Sequence, residues 1–400
     1  MWKVAQVFFG LLCLGYMVQS LPADAGRSSS VTTVSIVKGH GFDIEEHEVQ
    51  TSDGYILTMH RIPNHKDHEK QLNRPVAFLM HGLLCSSSDW VLGGPENGLA
   101  FLLSAQGYDV WMGNARGNTY SKRHATKSVY LQPFWNFEWH EIGIYDLPAM
   151  MDYVLYVTGQ ETLSYVGHSQ GTTSFFVLST MIPRFKSRIR SAHLLAPVVW
   201  MDHMESPLAT VGGPLLGQPN AFVELFGSAE FLPSSRAMEL MGLVMCQDAA
   251  FSQIICTNFL FLLGGWDSPY LNETMIPDIM STTPAGCSIN QIFHYLQEYN
   301  SGYYRQFDYG KTRNKKEYGS KTPTEYDIES VDVPIYLYYS DNDYFASIID
   351  VDRLRYTLNP NTLKKAYRLP ETKWNHLDFL WGINIREILY DQVIDDIKNA

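Results

Sequence analysis

Five apolar residues in a row, Val76 to Met80, lie between Pro75 and His81-Gly82. A run this short and this continuous reads as a strand covered on both faces, because a strand with one wet face would alternate. Similar runs recur at Tyr108 to Met112, Leu163 to Val166, His193 to Ala196 and Ile335 to Tyr339, and Lys364 to Leu369 reads as a further strand. Between several of them the apolar positions fall at helical spacing: Leu99 to Ala105, Tyr145 to Val157 and Thr172 to Met181, with Phe379 to Lys398 largely helical at the end. Strand and helix in alternation predict an α/β fold with a mostly parallel central sheet and helices on both faces.

Upstream, Glu46 to Gln50 and Tyr55 to Ile62 alternate and meet across Ser52-Asp53-Gly54, which predicts a hairpin, and a polar loop follows from Pro63 to Pro75. The rhythm stops between Trp200 and Asp327. That stretch is rich in Met and Phe, including Met238, Met241, Met245, Phe251, Phe259 and Phe261, followed by Leu262 and Leu263, and it reads as a largely helical insertion with a core of its own. Part of it is expected to cover the carboxyl edge of the sheet and to offer adaptable apolar surface to a lipid. The organisation expected is therefore 1–20 as a leader, 21–199 and 328–400 as the two parts of the α/β core, and 200–327 as a cap.

The 400-residue length and 45% hydrophobic content suffice for a large core. Met1 to Ser20 has the layout of a secretory signal peptide: Lys3, an apolar run from Val7 to Tyr16, and a small residue at the end. The run is about half of the roughly 20 residues a membrane span needs. Cleavage is expected before Leu21, with Ala25 as a second end point. The net charge is -12, or -13 without the leader, which gives no electrostatic reason to seek nucleic acid. The basic cluster Lys311 to Lys316, with Arg313, reads as a solvated loop. Four cysteines outlast the leader: Cys85, Cys246, Cys256 and Cys287. Cys246 and Cys256 are nearest in sequence and are expected to bridge, and Asn272-Glu273-Thr274 is a glycosylation sequon that fits the same secretory route. No dinucleotide or Walker glycine pattern occurs, so no nucleotide cofactor is indicated.

Candidate chemistry centres on Gly167-His168-Ser169-Gln170-Gly171, which sits between a buried strand and an apolar helix. A serine lifted on so tight an elbow needs small residues two positions to either side, hence Gly167 and Gly171. The N–H of Gln170 then faces the oxygen of a carbonyl under attack. Serine is a weak nucleophile and needs a base, oriented in turn by a third group, and in hydrolase order both follow the serine. His376 lies after the last strand, in the loop before the final helical stretch. The loop after Ile335 to Tyr339 carries Ser340-Asp341-Asn342-Asp343, and spacing alone leaves Asp341 and Asp343 as equal candidates for the acid. The second oxyanion donor is expected from His81-Gly82-Leu83-Leu84, at the N–H of Leu83, with His81 a packing residue rather than a base.

With these residues in view the chain resembles the acid lipase family, the α/β-hydrolases that include gastric and lysosomal acid lipases. The resemblance runs from about His40 to the C-terminus through Glu48 to Leu57, His81 to Leu84, Asp109 to Asn118, Tyr145 to Ala149, Gly167 to Gly171 and Asn375 to Phe379. It implies Ser169 as nucleophile, His376 as base, Leu83 and Gln170 as oxyanion donors, and Asp343 rather than Asp341 as the acid. It also implies a cap with a movable lid at 200–327. The family's cysteine partner downstream of Cys256 is here Gly264 or Gly265, which leaves Cys246 as the substitute, and Tyr344 to Ile348 lack the family's acid and proline.

The function so implied is a secreted or lysosomal lipase that hydrolyses carboxylic esters of neutral lipids, without metal or organic cofactor. A small-ester or sterol esterase is the alternative within enzymes. A catalytically silent lipid-binding protein is the alternative outside them, disfavoured because every catalytic position is filled.

Overall fold

The computed structural model describes residues 31–63, 73–219, 229–232, 264–265 and 267–400. The leader Met1 to Ser20, both cleavage candidates, Cys246, Cys256 and the Met- and Phe-rich run from Met238 to Leu263 lie outside the described residues.

A single large sheet organises the chain. Strand β1 (Glu45–Gln50) and β2 (Tyr55–Ile62) form the antiparallel hairpin, and β2 runs antiparallel to β4 (Asp109–Met112). From β4 onward the path is parallel: β3 (Val76–Met80), β6 (Leu163–His168), β7 (Ile189–Leu195), β10 (Ile335–Tyr339) and β11 (Leu363–Arg368). The short β5 (Arg123–His124) pairs with β2, and β8 (Glu230–Phe231) with β9 (Cys287–Ser288) forms a separate two-stranded ribbon. Every residue of β3, β4 and β6 is buried, as their unbroken composition requires of strands with helices on both faces. Because β3, β6, β10 and β11 point the same way, the loops that follow them gather at one edge.

Two expectations need correction, and a third gains a detail. Strand β7 begins at Ile189 rather than His193; buried Ser191 and His193 disguise its start, and they satisfy each other and Tyr338 through bonds of 3.0 and 3.1 Å to the imidazole. The last stretch is largely helical as expected, with one break: helix Asp378–Trp381 stops at Gly382, where a Cβ would lie 2.5 Å from the Trp374 ring, and the π-helical turn Arg386–Tyr390 then runs on into helix Asp391–Asn399. The basic cluster is not a loop. It forms helix Lys311–Tyr318, closed by Gly319 in the left-handed region at φ 70°, with buried Asn314 bonded to Asp308 and the carbonyl of Lys321. Its exposed lysines have no apolar stripe, which is why hydrophobic periodicity did not reveal it.

Between residues 200 and 327 the described elements include helices Pro207–Leu216, Ile276–Thr282 and Ile289–Ser301 as well as Lys311–Tyr318. No helix among the described residues is long and apolar enough to cross a membrane.

Candidate active site

Strand β6 ends at His168, and helix Gln170–Met181 begins two residues later, so the single residue between them makes the whole turn. That residue is Ser169, at φ 52° and ψ -117°. Such a backbone costs a non-glycine residue on the order of 1–3 kcal/mol and persists only where its surroundings enforce it. They do so here by close packing. A Cβ on Gly171 would lie 2.4 Å from the Met80 carbonyl oxygen, and one on Gly167 2.9 Å from the Gly171 backbone, so helix and strand meet only because both are glycine.

The serine hydroxyl lies 2.7 Å from Nε2 of His376, and Nδ1 of His376 lies 2.9 and 2.8 Å from the two carboxylate oxygens of Asp343. A carboxylate only accepts, so the imidazole proton sits on Nδ1 and Nε2 is left with a lone pair toward the serine. Asp343 is itself held by the N–H groups of Phe345 and Ala346, each 2.9 Å from Oδ1. Asp341 takes no part: it makes a two-pronged ion pair with Arg368 at 2.6 and 2.7 Å on the exposed side of the same loop.

The histidine loop is fixed from both sides. The main-chain N–H of His376 donates to the Gly264 carbonyl at 3.0 Å, and its own carbonyl accepts from Nε2 of His168 at 3.0 Å. His168 is thus more than an elbow residue: burial, with the neighbouring His376, drives its pKa well below the ordinary value and keeps it a neutral donor.

On the other side of the serine, Gly82 leaves the room that a side chain would take, since a Cβ there would stand 3.1 Å from Ser169 Cβ. Leu83 follows it, half-buried, in a loop that Leu84 bends through φ 62°. The loop is tied by the Ala285 N–H to the Leu84 carbonyl at 2.6 Å. Gln170 is the first residue of its helix, where a backbone N–H has no intrahelical acceptor. His81 is buried beneath this loop; its Nδ1 donates to the Gly82 carbonyl at 2.7 Å and its Nε2 accepts from the Ala115 N–H at 3.1 Å. Burial lowers its pKa to about 4, so it is a neutral structural link.

The remaining candidates lie apart from this cluster. Asn272 caps the turn Glu273–Met275 on the surface, its Oδ1 accepting from the Thr274 hydroxyl at 2.7 Å. Cys85 and Cys287 are buried free thiols. Asp202, His203 and Asp350 bring three donor atoms within 4.8 Å of one another, but His203 Nδ1 is bonded to Asp350 at 2.8 Å and they form an ion pair.

This geometry invites comparison with known proteins. A family model described as the alpha/beta hydrolase fold matches residues 75–382, and one described as a partial alpha/beta-hydrolase lipase region matches residues 33–94. Lipase 3 of Drosophila melanogaster is 51% identical over 91% of this chain and 92% of its own. The chain belongs to the α/β-hydrolase lipase family. It is also similar to the human lysosomal acid lipase/cholesteryl ester hydrolase, at 36% identity over 97% of this chain and 98% of that one. A monoglyceride lipase of Saccharomyces cerevisiae, solved with a substrate analogue, shares the fold at a TM-score of 0.56 and 14% identity, over 89% of this chain and 96% of that one.

What reading along the chain missed was the support: His168 as a donor to His376, and the contacts of Gly264 and Gly265. Their signal exists only in space. A Cβ on Gly264 would lie 2.8 Å from Leu377 Cγ, and one on Gly265 2.1 Å from the Asn342 carbonyl oxygen. A cysteine at either position would have to push one of these loops aside.

Proposed function

We propose that the chain is a lipase that hydrolyses carboxylic esters of neutral lipids through an acyl-enzyme on Ser169. The observation that carries this is the continuous hydrogen-bonded run from Asp343 through His376 to a serine on a strained elbow. His376 takes the serine proton as Oγ attacks the ester carbonyl, and Asp343 holds the imidazolium. The N–H groups of Leu83 and Gln170 receive the oxyanion, a pair in which one donor contributes on the order of 3 kcal/mol. The proton on His376 passes to the departing alcohol. Water, deprotonated by the same imidazole, then releases the fatty acid and restores the serine.

The substrate class rests on the relatives, which are named lipases, and one of them also a cholesteryl ester hydrolase. The N-terminal pattern and the name of that lysosomal relative favour a secretory route ending in the lysosome or outside the cell. Residues 200–327 then serve as the cap over the carboxyl edge of the sheet.

The test is fatty-acid release from emulsified triacylglycerol and from cholesteryl ester across a pH series, with Ser169→Ala beside the unaltered enzyme. Serine-dependent release from either lipid is expected. Release from soluble short-chain esters alone would move the reading to a small-ester esterase, and no release from any ester to a binding protein.

A further inference from the structure

Two residues after His376, a second buried carboxyl has no cation beside it among the described residues. Asp378 is fully buried, and its Oδ2 accepts from the Asn375 N–H at 2.7 Å and from the Ser268 hydroxyl at 2.5 Å, while Oδ1 has no hydrogen-bond partner among the described residues. Asn375, the neighbour of His376, is bound just as fully: its Oδ1 accepts from the N–H groups of Leu377 at 2.9 Å and Asp378 at 3.0 Å, and its Nδ2 donates to the Gly265 carbonyl at 3.2 Å.

Three of these contacts come from one segment remote in sequence from the histidine. Gly264 binds the His376 N–H, Gly265 binds the Asn375 side chain, and Ser268 binds Asp378. The same segment reaches the acid loop, where the Tyr344 N–H donates to the Gly264 carbonyl at 3.4 Å. The Tyr344 carbonyl in turn accepts from the Glu205 N–H at 3.0 Å. The loop bearing the acid and the loop bearing the base are thus joined through a third segment, besides their direct contact.

We propose that Ser268 and Asp378 are a positioning pair that locks the His376 loop onto the segment carrying Gly264 and Gly265, and so sets the distance from His376 to Ser169. The proposal rests on the triad reading above. Its physical basis is that a base serves only within hydrogen-bond reach of the proton it takes, and a misplacement of about 1 Å costs on the order of a hundredfold in rate. Without the Ser268 hydroxyl, Asp378 keeps one donor and the loop loses one of its two side-chain anchors to that segment, the bond from Asn375 to Gly265 remaining. Asparagine at 378 retains an amide oxygen that both donors reach, so it keeps the hydrogen bonds while removing the titratable group.

The experiment measures kcat and KM on a soluble p-nitrophenyl ester for Ser268→Ala, Asp378→Ala and Asp378→Asn. Lys373→Ala serves as a control, since it removes only the exposed pair that Lys373 makes with Asp267. Active enzyme is counted by phosphonate titration, so partial misfolding does not pass for a slow catalyst. Expected are a roughly tenfold fall in kcat for Ser268→Ala and a roughly hundredfold fall for Asp378→Ala, with KM within twofold. Asp378→Asn recovers most of the rate, and Lys373→Ala stays near the unaltered enzyme. Wild-type kcat per titrated site in both alanine variants would overturn the positioning role, as would losses matched by Lys373→Ala. Failure of the phosphonate to label Ser169 in the unaltered enzyme would overturn the triad reading itself, and the pair's role with it.

Discussion

Two buried clusters of charge make opposite use of the same hydrogen-bonding groups. Around Arg116, which is 1% exposed, the guanidinium meets Asp146 at 2.7 Å and Asp53 at 2.6 and 2.9 Å, and the Arg116 N–H also donates to Asp146. Burial opposes its charge, but the two carboxylates more than offset that and raise its pKa. The ring of Tyr55 lies 4.0 Å beneath it. This cluster ties the hairpin turn, the loop after β4 and the start of helix Leu147–Thr158 into one closed lattice of opposite charges. Around Ser169 the bonds form instead a line: Asp343 to imidazole to hydroxyl, ending on an atom held in a strained turn. A closed set of opposite charges holds structure together. A line with a lone pair at Nε2 and a proton beside it is arranged for transfer.

The sharpest way to break that contrast is to remove the end of the line. Ser169→Ala is expected to lower kcat by about a millionfold while leaving the thermal midpoint unchanged within a degree or two, measured by fatty-acid titration and calorimetry. Asp343→Asn keeps the shape but allows the wrong tautomer of His376, and is expected to cost about ten-thousandfold in kcat, again with the fold intact by circular dichroism. Arg116→Met acts on the other cluster. It leaves Asp146 buried without its cation, and a loss of about 3–5 kcal/mol of stability is expected from the urea midpoint, with the rate per titrated active site nearly unchanged. If that variant instead lost kcat at full stability, the assignment of the two clusters to two tasks would be wrong.

The most gradual effect concerns pH. Burial raises the carboxyl of Asp378 from an ordinary 3.8 to about 7. Between those values the folded protein holds a proton that the unfolded chain has released, so the stability from this group falls as pH rises from about 4 to 7 and is level outside that window. The slope is at most about 1.4 kcal/mol per pH unit, and Asp378→Asn should flatten it in a series of urea titrations.

How much of this could be read from the sequence differs between the two loops of the site. The elbow was legible because packing forces its composition: with a Cβ 2.4 Å from the Met80 oxygen, position 171 admits only glycine. His376 was legible by its place after the last strand. The acid loop was legible too, but spacing left Asp341 and Asp343 equal and only the family resemblance favoured Asp343, because the two are two residues apart and differ only in burial, one paired with Arg368 at the surface and the other facing the imidazole. Ser268 and Gly264 left no trace, since nothing local marks a hydroxyl or a carbonyl that matters to a loop more than a hundred residues away. The start of β7 and the basic helix were missed for a shared reason: a hydrophobic pattern is silent where buried residues are polar, or where a helix has no apolar face.

A line of bonds that ends on one hydroxyl should activate Ser169 alone among the chain's serines. Peptide mapping after reaction with a serine-directed phosphonate tests it most directly. One adduct per active molecule is expected, on Ser169, and none in His376→Ala. An adduct on another serine, or undiminished labelling of Ser169 without His376, would contradict it.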